Sequence, residues 1–318
     1  MSKAILIYEP DSLADVRTYA AAIGAALPTV PVVATTDRAE ALAAAPGTTA
    51  IIAKAQDVLP QLVAAMPSLE WIQALTTGVD PLRALKLPRS VTVSTTRGMH
   101  APQMSELTFL LMLSLSRNAP QIFANQRESL WKRWGQHLLV GKTVTIVGVG
   151  SISEALALRC RAFGMKVIGI SSRNAAEGFD ELHPRERLNE VAARSDFIVV
   201  LVPYTADTHH LINASVLGAM RKSAFLINVS RGNVVDEQAL IAALKARTIA
   251  GAGLDVFSTE PLPSTSPLWT LDNVIVTPHV GGLSDIYAEQ ALPVILHNLR
   301  AYLAGDRAAM QNRIELGG

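Results

Sequence analysis

The segment Val144-Thr145-Ile146-Val147-Gly148-Val149-Gly150-Ser151-Ile152-Ser153 decides the fold of this chain. Its four β-branched residues predict a buried strand, and the two glycines that follow mark a tight turn into a helix. Gly148 permits the turn, and Gly150 allows the backbone to approach a pyrophosphate at the helix N-terminus. Ser153 replaces the third glycine of this dinucleotide-binding fingerprint, so we expect the helix to be pushed slightly outward. The cofactor contacts predicted in this turn are Gly148, Gly150, Ser151 and Ile152.

Apolar runs alternate with alanine-rich helical stretches on both sides of this segment. The predicted strands span residues 4–8, 30–34, 50–54, 71–74, 91–94, 144–147, 166–171, 197–202, 224–229, 249–254 and 273–276. The predicted helices span residues 12–26, 38–44, 56–65, 106–117, 151–163, 235–246 and 285–304. This alternation indicates parallel strands joined by crossover helices. We therefore expect an α/β protein with two doubly wound parallel-sheet domains, and residues 121–139 as an arm or lid.

The composition narrows the class of protein. The 318 residues suffice for two domains, and a net charge of +1 without a basic tract argues against nucleic acid as a partner. The longest apolar stretch, Leu107 to Leu115, is far shorter than the roughly 20 residues that a membrane span needs. Cys160 is the single cysteine, which excludes an intrachain disulfide and a cysteine-rich metal site. No secretory cleavage pattern follows the first residues, so we expect a cytoplasmic protein. We also expect that it holds no metal.

The strand after the glycine turn indicates which dinucleotide binds. It ends at Ser171-Ser172-Arg173, where an NAD site usually has a carboxylate that bonds the ribose 2′-hydroxyl. A carboxylate there would repel a 2′-phosphate, whereas two hydroxyls and a guanidinium would bind it. We therefore expect NADP(H) as the preferred cofactor, with NAD(H) as the second choice. The simpler interpretation of Arg173 is a solvated loop residue.

Three polar residues come at the ends of further strand-like segments. Arg231, Glu260 and His279 each follow a short apolar run and stand beside a glycine or a proline. In an open α/β sheet, ligands bind where the strands end. A cation, a carboxylate and an imidazole at such an edge can transfer a proton to or from an anionic substrate. Each of these residues alone would more often be structural or exposed, and their combination is what predicts an active site.

Four blocks of sequence carry a resemblance to a known family. They are Phe163-Gly164-Met165, Asn228-Val229-Ser230-Arg231-Gly232-Asn233-Val234-Val235-Asp236-Glu237, Pro261-Leu262-Pro263 with Ser266-Pro267-Leu268-Trp269, and Thr277-Pro278-His279-Val280-Gly281-Gly282. With these blocks the chain resembles the D-isomer-specific 2-hydroxyacid dehydrogenases over nearly its whole length. Ser153, in place of a glycine, is the clearest departure from the family's pattern.

The resemblance implies a role for each of the three polar residues. His279 is expected to give a proton to the keto oxygen of a 2-keto acid, and Glu260 to hold the imidazole in the useful tautomer. Arg231 is expected to bind the substrate carboxylate and polarise the keto oxygen. The chemistry of the side chains agrees with these roles, because an imidazole titrates near neutral pH and a guanidinium stays charged.

The resemblance also implies further contacts. The segment 75–80 resembles the family's carboxylate-binding loop, so Thr77, Gly78 and Val79 are expected to contact the substrate; an ordinary turn is the alternative. Asp255 is expected to bond the carboxamide of the nicotinamide. The other cofactor contacts that the resemblance implies are Pro203, Thr208, Val229 and Ser230.

The resemblance finally implies a domain organisation and an activity. Residues 1–98 with 286–318 are expected to form a flavodoxin-like substrate domain, and residues 99–285 a Rossmann dinucleotide-binding domain. We expect a homodimeric oxidoreductase that interconverts small 2-keto acids and D-2-hydroxy acids, with glyoxylate or hydroxypyruvate as the substrate. The alternatives are the same fold acting on phosphoglycerate or phosphite, and a non-catalytic nucleotide-sensing protein.

Overall fold

The computed structural model describes residues 3–315. The strands are β1 (Ile5–Tyr8), β2 (Val32–Thr35), β3 (Ala50–Ala53), β4 (Trp71–Ala74), β5 (Thr92–Thr95), β6 (Thr143–Val147), β7 (Lys166–Ile170), β8 (Glu181–His183), β9 (Phe197–Val200), β10 (Phe225–Asn228), β11 (Gly251–Leu254), β12 (Val274–Val276) and β13 (Arg313–Ile314). The α-helices are α1 (Leu13–Ala26), α2 (Arg38–Ala44), α3 (Pro60–Ala64), α4 (Asp80–Arg83), α5 (Ala101–Arg117), α6 (Ala119–Arg127), α7 (Ser151–Ala162), α8 (Leu188–Ala192), α9 (Ala214–Ala219), α10 (Glu237–Lys245) and α11 (Tyr287–Ala304). Short 3-10 turns lie at Ala45–Gly47, Ala55–Asp57, Arg185–Arg187, Ala206–Thr208, Gly232–Val234, Pro267–Trp269 and Arg307–Ala309.

The described residues divide into two compact units. Residues 3–99 with 284–315 form the first unit, and residues 100–283 form the second. The first unit has one sheet in the order β13-β5-β4-β3-β1-β2. Its strands run parallel except for the two-residue edge strand β13, which is antiparallel to β5.

The second unit has a sheet of seven parallel strands in the order β12-β11-β10-β9-β6-β7-β8. The strand order reverses between β6 and β9, which is where an open sheet of this kind leaves a crevice for a ligand. The register aligns Val147 with both Ile170 and Val200. Further pairings align Ile170 with His183 and continue the row from Val200 through Asn228 and Leu254 to Val276. The last residues of all seven strands therefore form one row, and the residues that follow them share one edge.

Both sheets are covered on both faces. In β1, Ile5 and Ile7 belong to one hydrophobic cluster, while Leu6 and Tyr8 belong to another. Strands buried on both faces are continuously apolar, because successive side chains point to opposite sides. This confirms the predicted fold class, an α/β protein with two doubly wound parallel-sheet units.

Several boundaries differ from the prediction. Helix α5 starts at Ala101 rather than Glu106, because Pro102 lies in its first turn, where a missing N–H costs nothing. The stretch 121–139, expected to form an arm or lid, begins with the end of α6. The short strands β8 and β13 were not predicted, since three and two residues carry too little periodicity to be recognised. Among residues 3–315, none of the helices has the length and apolar character needed to cross a membrane.

Candidate active site

The edge of the second sheet carries the three polar residues predicted from the sequence. Arg231 comes three residues after β10, and the turn Gly232–Val234 follows it. A side chain on Gly232 would place a Cβ only 1.9 Å from the backbone carbonyl carbon of Phe257. Only glycine therefore lets the Arg231 turn pack against the segment that leads from β11 to Glu260.

Glu260 and His279 form a hydrogen-bonded pair. Oε2 of Glu260 lies 2.6 Å from Nδ1 of His279, and Oε1 accepts a hydrogen bond of 2.9 Å from the backbone N–H of Phe257. With Nδ1 protonated, the imidazole donates to the carboxylate, which fixes the orientation of the ring. Nε2 of His279 makes no hydrogen bond with any residue between 3 and 315, and the side chain is 47% exposed. The pair thus presents Nε2 as the atom that can exchange a proton with a ligand.

The turn that carries His279 is held by Asp255. His279 has a left-handed backbone (φ 55°), which is unfavourable for a residue with a side chain. Its N–H donates to the carbonyl of Asp255, and the Asp255 carboxylate accepts from Val280 N–H at 3.0 Å, Gly281 N–H at 2.9 Å and the Thr277 hydroxyl at 2.6 Å. Asp255 is only 1% exposed. These bonds stabilise a strained turn and so fix where the imidazole lies.

The pKa of Glu260 is lowered. Burial alone would raise it, but the hydrogen bonds from His279 and the Phe257 N–H and the positive charge of Arg231 outweigh burial. The carboxyl group is therefore ionised at neutral pH and can stabilise a protonated imidazole. The Arg231 guanidinium donates to the carbonyl of Ser230 at 2.7 Å.

The glycine turn between β6 and α7 fits a pyrophosphate. Gly148 has φ 98°, and a Cβ there would lie 2.7 Å from the side chain of Val202. A Cβ built on Gly150 would meet nothing within 4 Å, so space is open above this residue. No side chain caps the N-terminus of α7, which leaves the first backbone N–H groups of the helix for an anion. Ser151 and Ile152 are the first two residues of that helix.

Ser153 is accommodated within this turn. Its side chain is 2% exposed, and its hydroxyl donates a hydrogen bond of 2.6 Å to the carbonyl of Gly148. The serine therefore bonds the turn to the helix in addition to filling the position of the missing glycine.

The segment that follows β7 lies at the same edge. Its backbone turns at Ser171, whose hydroxyl accepts from the N–H of Arg173 at 3.1 Å. Nη1 of Arg173 lies 2.8 Å from Oε1 of Glu154, a residue of α7. Ser172 and Arg173 are exposed. Arg173 is thus an exposed residue outside the regular elements, and it forms an ion pair with Glu154.

The remaining predicted cofactor contacts follow β9 and β10. The hydroxyl of Thr208 donates to the carbonyl of Pro203 at 2.8 Å and closes a capping box with Thr205. Val229 and Ser230 are buried, and the Ser230 hydroxyl donates to the side chain of Asn228 at 3.0 Å. The hydroxyls of Thr208 and Ser230 thus form hydrogen bonds within the segments that follow β9 and β10.

The predicted substrate loop belongs to the first unit. It begins directly after β4, where the Thr76 hydroxyl donates to the carbonyl of Gly78 at 2.7 Å. Thr77 is exposed, Gly78 is half-buried and Val79 is buried. The loop ends at α4, whose N-cap residue is Val79.

A group of carboxylates at the edge of the first sheet could hold a cation. Ligand atoms of Glu9, Asp11 and Asp57 lie within 4.8 Å of one another. The Lys54 ammonium lies 2.7 Å from Glu9 and 3.2 Å from Asp11. The chain therefore supplies its own cation to this group.

The site contains residues that the sequence reasoning did not identify. Glu154 pairs with Arg173, Gly232 permits the close packing beside Arg231, and Asn228 accepts from Ser230 and donates to the carbonyl of Arg231 at 3.1 Å. A signal existed for Glu154, because an acidic residue stands in the first turn of a helix that follows a glycine turn. The close contact of Gly232 is with Phe257, in a distant segment, and leaves no local pattern. The bonds of Asn228 are local and lie within a block that carries the family resemblance.

Comparison with known proteins identifies the family. The model of the "D-isomer specific 2-hydroxyacid dehydrogenase, NAD binding domain" matches residues 109–281. The chain belongs to this family. It is an NAD(P)-dependent D-2-hydroxyacid dehydrogenase.

Two curated relatives show what this dehydrogenase is similar to. A glyoxylate reductase of Thermococcus litoralis is 37% identical over 259 residues, which are 77% of this chain and 77% of that enzyme. A D-3-phosphoglycerate dehydrogenase of Methanocaldococcus jannaschii is 38% identical over 209 residues, which are 64% of this chain. The second match covers only 40% of the length of that enzyme.

Solved structures of the family share the whole fold of this dehydrogenase. A D-isomer specific 2-hydroxyacid dehydrogenase family protein of Aeromonas salmonicida is 31% identical with a TM-score of 0.91, and 100% of each chain is covered. A D-isomer specific 2-hydroxyacid dehydrogenase of Xanthobacter autotrophicus, solved with NADPH and MES, is 32% identical with a TM-score of 0.80. That match covers 99% of each chain.

Proposed function

We propose that this dehydrogenase reduces small 2-keto acids, with glyoxylate or hydroxypyruvate as the substrate, NADPH as the preferred reductant and NADH as the second choice. The observation that carries the proposal is the Glu260–His279 pair, whose Nδ1–Oε2 distance is 2.6 Å and whose Nε2 has no partner in residues 3–315. The similarity to glyoxylate reductases supports this class of substrate.

We assign one role in this reaction to each of the three residues. His279 holds a proton at Nε2 and delivers it to the keto oxygen as that oxygen becomes an alkoxide. Glu260 fixes the tautomer through Nδ1 and balances the charge of the imidazolium. Arg231 binds the substrate carboxylate and polarises the keto group. A bound reduced nicotinamide supplies the hydride to the keto carbon.

We assign the substrate to residues 1–98 with 286–318 and the dinucleotide to residues 99–285. In the first of these domains, the backbone N–H groups of Thr77, Gly78 and Val79 hold the substrate carboxylate. In the second, Gly148 and Gly150 receive the pyrophosphate. The other dinucleotide contacts are Ser151, Ile152, Ser171, Ser172, Arg173, Pro203, Thr208, Val229, Ser230 and Asp255.

A steady-state assay tests the proposal. We expect NADPH oxidation with glyoxylate and hydroxypyruvate, and a fall in kcat/KM of about a thousandfold in Arg231→Ala, because the substrate anchor and the polarising charge are lost together. Arg247→Ala is the matched control, since Arg247 pairs with Asp272 on the exposed surface. Full activity in both Arg231→Ala and His279→Ala would remove the proposed roles.

The preference for NADPH has its own test. Arg173→Ala should weaken NADPH by more than about tenfold and leave NADH nearly unchanged, because only NADPH carries the 2′-phosphate. Equal losses for the two nucleotides would contradict the assignment of Arg173.

Phosphoglycerate is the second candidate, because a phosphoglycerate dehydrogenase is a relative. A phosphorylated substrate needs a further cation in the first unit. The basic residues available are Lys54, Arg83, Lys86 and Arg89. Lys54 is buried and its ammonium is already paired with Glu9 and Asp11, while the other three are exposed. We therefore favour substrates without a phosphate, and kcat/KM for phosphohydroxypyruvate against hydroxypyruvate separates the two candidates.

We also propose that the active form is a homodimer. Trp131 is 91% exposed, and Leu110, Phe123 and Val140 are also largely exposed. Large apolar side chains in contact with water are characteristic of interaction surfaces. Light scattering should give twice the chain mass for the wild type and for Leu13→Asp, and a single chain mass for Phe123→Asp combined with Trp131→Asp. A monomeric wild type would rule the dimer out.

A further inference from the structure

The Arg173 guanidinium, proposed to bind the nucleotide, is already paired with a carboxylate of the same unit. Its Nη1 lies 2.8 Å from Oε1 of Glu154. The Glu154 side chain is 28% exposed and the Arg173 side chain 46%, so the pair is partly shielded from water. Glu154 belongs to the first turn of α7, the helix that starts at the glycine turn.

We propose that Glu154 is a positioning residue that limits the preference for NADPH by holding and neutralising Arg173. The inference rests on the proposed use of Arg173 for the 2′-phosphate. The carboxylate that NAD-binding sites usually carry at the end of the second strand is replaced here by Ser171. Glu154 returns a carboxylate to the same edge from the neighbouring helix, and it acts on the guanidinium that would select the phosphate.

The physical reason is a competition for one cation. A phosphate monoester carries about −1.5 to −2 charges at neutral pH. An unpaired guanidinium would meet it with one positive charge, whereas the Arg173–Glu154 pair offers a net charge of zero. The guanidinium has donors on more than one edge, so it can still bond the phosphate while Nη1 stays on Glu154. Binding of the phosphate is therefore retained but weakened, and the 2′-hydroxyl of NADH meets no excess of positive charge.

A purely structural pair between α7 and the segment after β7 makes a different prediction. Such a pair would hold the two elements together and would affect all adenine nucleotides equally when it is broken. A pair that controls selectivity affects only nucleotides with a 2′-phosphate. The two roles are therefore separated by comparing nucleotides that differ in this group alone.

The test uses calorimetric titration of the full chain with adenosine 2′,5′-bisphosphate and with 5′-AMP, which need no turnover. Glu154→Gln should tighten the bisphosphate about two- to fivefold, the range expected for a partly exposed ion pair, and change 5′-AMP by less than about 1.5-fold. Asp272→Asn is the matched control. It removes one carboxylate from the Arg247–Asp272 pair. Asp272 lies just before β12, at the amino ends of the strands, whereas the nucleotide edge lies at their carboxyl ends. The change should therefore alter neither affinity.

A double-mutant cycle tests whether Glu154 acts through Arg173. In an Arg173→Ala background, Glu154→Gln should change the affinity for the bisphosphate by less than about 1.5-fold. The inference is overturned if Glu154→Gln leaves the bisphosphate unchanged or weakens it, if 5′-AMP tightens equally, or if the gain persists without Arg173. A wild type that binds these nucleotides but reduces no keto acid would refute the proposed function and leave the Glu154 result standing. If the wild type reduces keto acids with NADPH, but neither substitution changes the affinity for the bisphosphate, this inference alone is refuted.

Discussion

Carboxylates lie beside a cation at the carboxyl edges of both sheets, and their environments have opposite effects. In the second unit, Glu260 receives hydrogen bonds from His279 and a backbone N–H, and its pKa is lowered although the group is partly buried. In the first unit, burial and the nearby Glu9 raise the pKa of Asp57 to about 6, and the opposing effect of Lys54 is too small to prevent this. Oδ2 of Asp57 is buried without a hydrogen-bond partner among the described residues.

The difference shows why the ionised form is stabilised at Glu260 and destabilised at Asp57. A nearby cation is present in both cases, so charge alone does not decide the outcome. Directed N–H donors stabilise the ionised form of Glu260, whereas Asp57 loses water without gaining donors on one oxygen. Only the arrangement around Glu260 leaves a partner, His279, with an atom that can exchange a proton.

Removing the imidazole should have the largest effect on activity, and it should reduce the difference between Glu260 and Asp57. In His279→Asn we expect kcat for keto-acid reduction to fall about a thousandfold, because the proton donor is lost. The pKa of Glu260 should rise in the same variant, since its strongest stabilising hydrogen bond disappears; carboxyl NMR titration measures this. His297→Asn, a change in an exposed histidine of the first unit, is the control and should retain activity. A Glu260 pKa that does not move would show that the other donors suffice.

Loosening the His279 turn should have a smaller effect. Asp255→Asn puts an amide N–H₂ against groups that now donate to a carboxylate, so one buried donor loses its acceptor. We expect a loss of about 2 kcal/mol in the free energy of unfolding and a fall in kcat/KM of about tenfold, as the imidazole becomes mobile. Denaturant unfolding and steady-state kinetics measure the two quantities. Normal kcat/KM in a destabilised variant would mean that Asp255 stabilises the fold without positioning His279.

Neutralising Asp57 should have the smallest effect, and it should raise the free energy of unfolding rather than lower it. Its folded pKa of about 6 lies above the ordinary value of 3.8, so the unfolded chain releases this proton first. The group therefore costs stability as the pH rises from about 4 to about 6, and the cost is complete above that range. The full shift corresponds to about 3 kcal/mol, and the solvent that reaches this half-buried group reduces that amount. Asp57→Asn should therefore raise the free energy of unfolding by about 1 kcal/mol at pH 7.5 and change it little at pH 3.5. Asp285→Asn, a change at an exposed aspartate of the first unit outside this carboxylate group, is the control. An Asp57→Asn effect equal at both pH values would contradict the titration.

How much could be predicted from the sequence depends on the length of each pattern. Helix α2 and strand β4 lie where the pattern predicts them, because apolar periodicity and flanking turn residues mark both ends. The two-residue strand β13 could not be predicted, since its pairing with β5 depends on a contact between segments more than 200 residues apart. Helix α6 was missed because its own sequence is weakly apolar.

The sequence by itself determined the alternation of strands and helices, the glycine turn and the three polar residues at strand ends, because each of these is written in neighbouring residues. Tertiary structure alone decided the 2.6 Å contact between Glu260 and His279, the pairing of Arg173 with Glu154, and the bonds by which Asp255 holds a strained turn. These contacts join residues 19 to 26 positions apart. Their energies depend on the register of the sheet and on the exclusion of water, and neither of these is a property of a local segment.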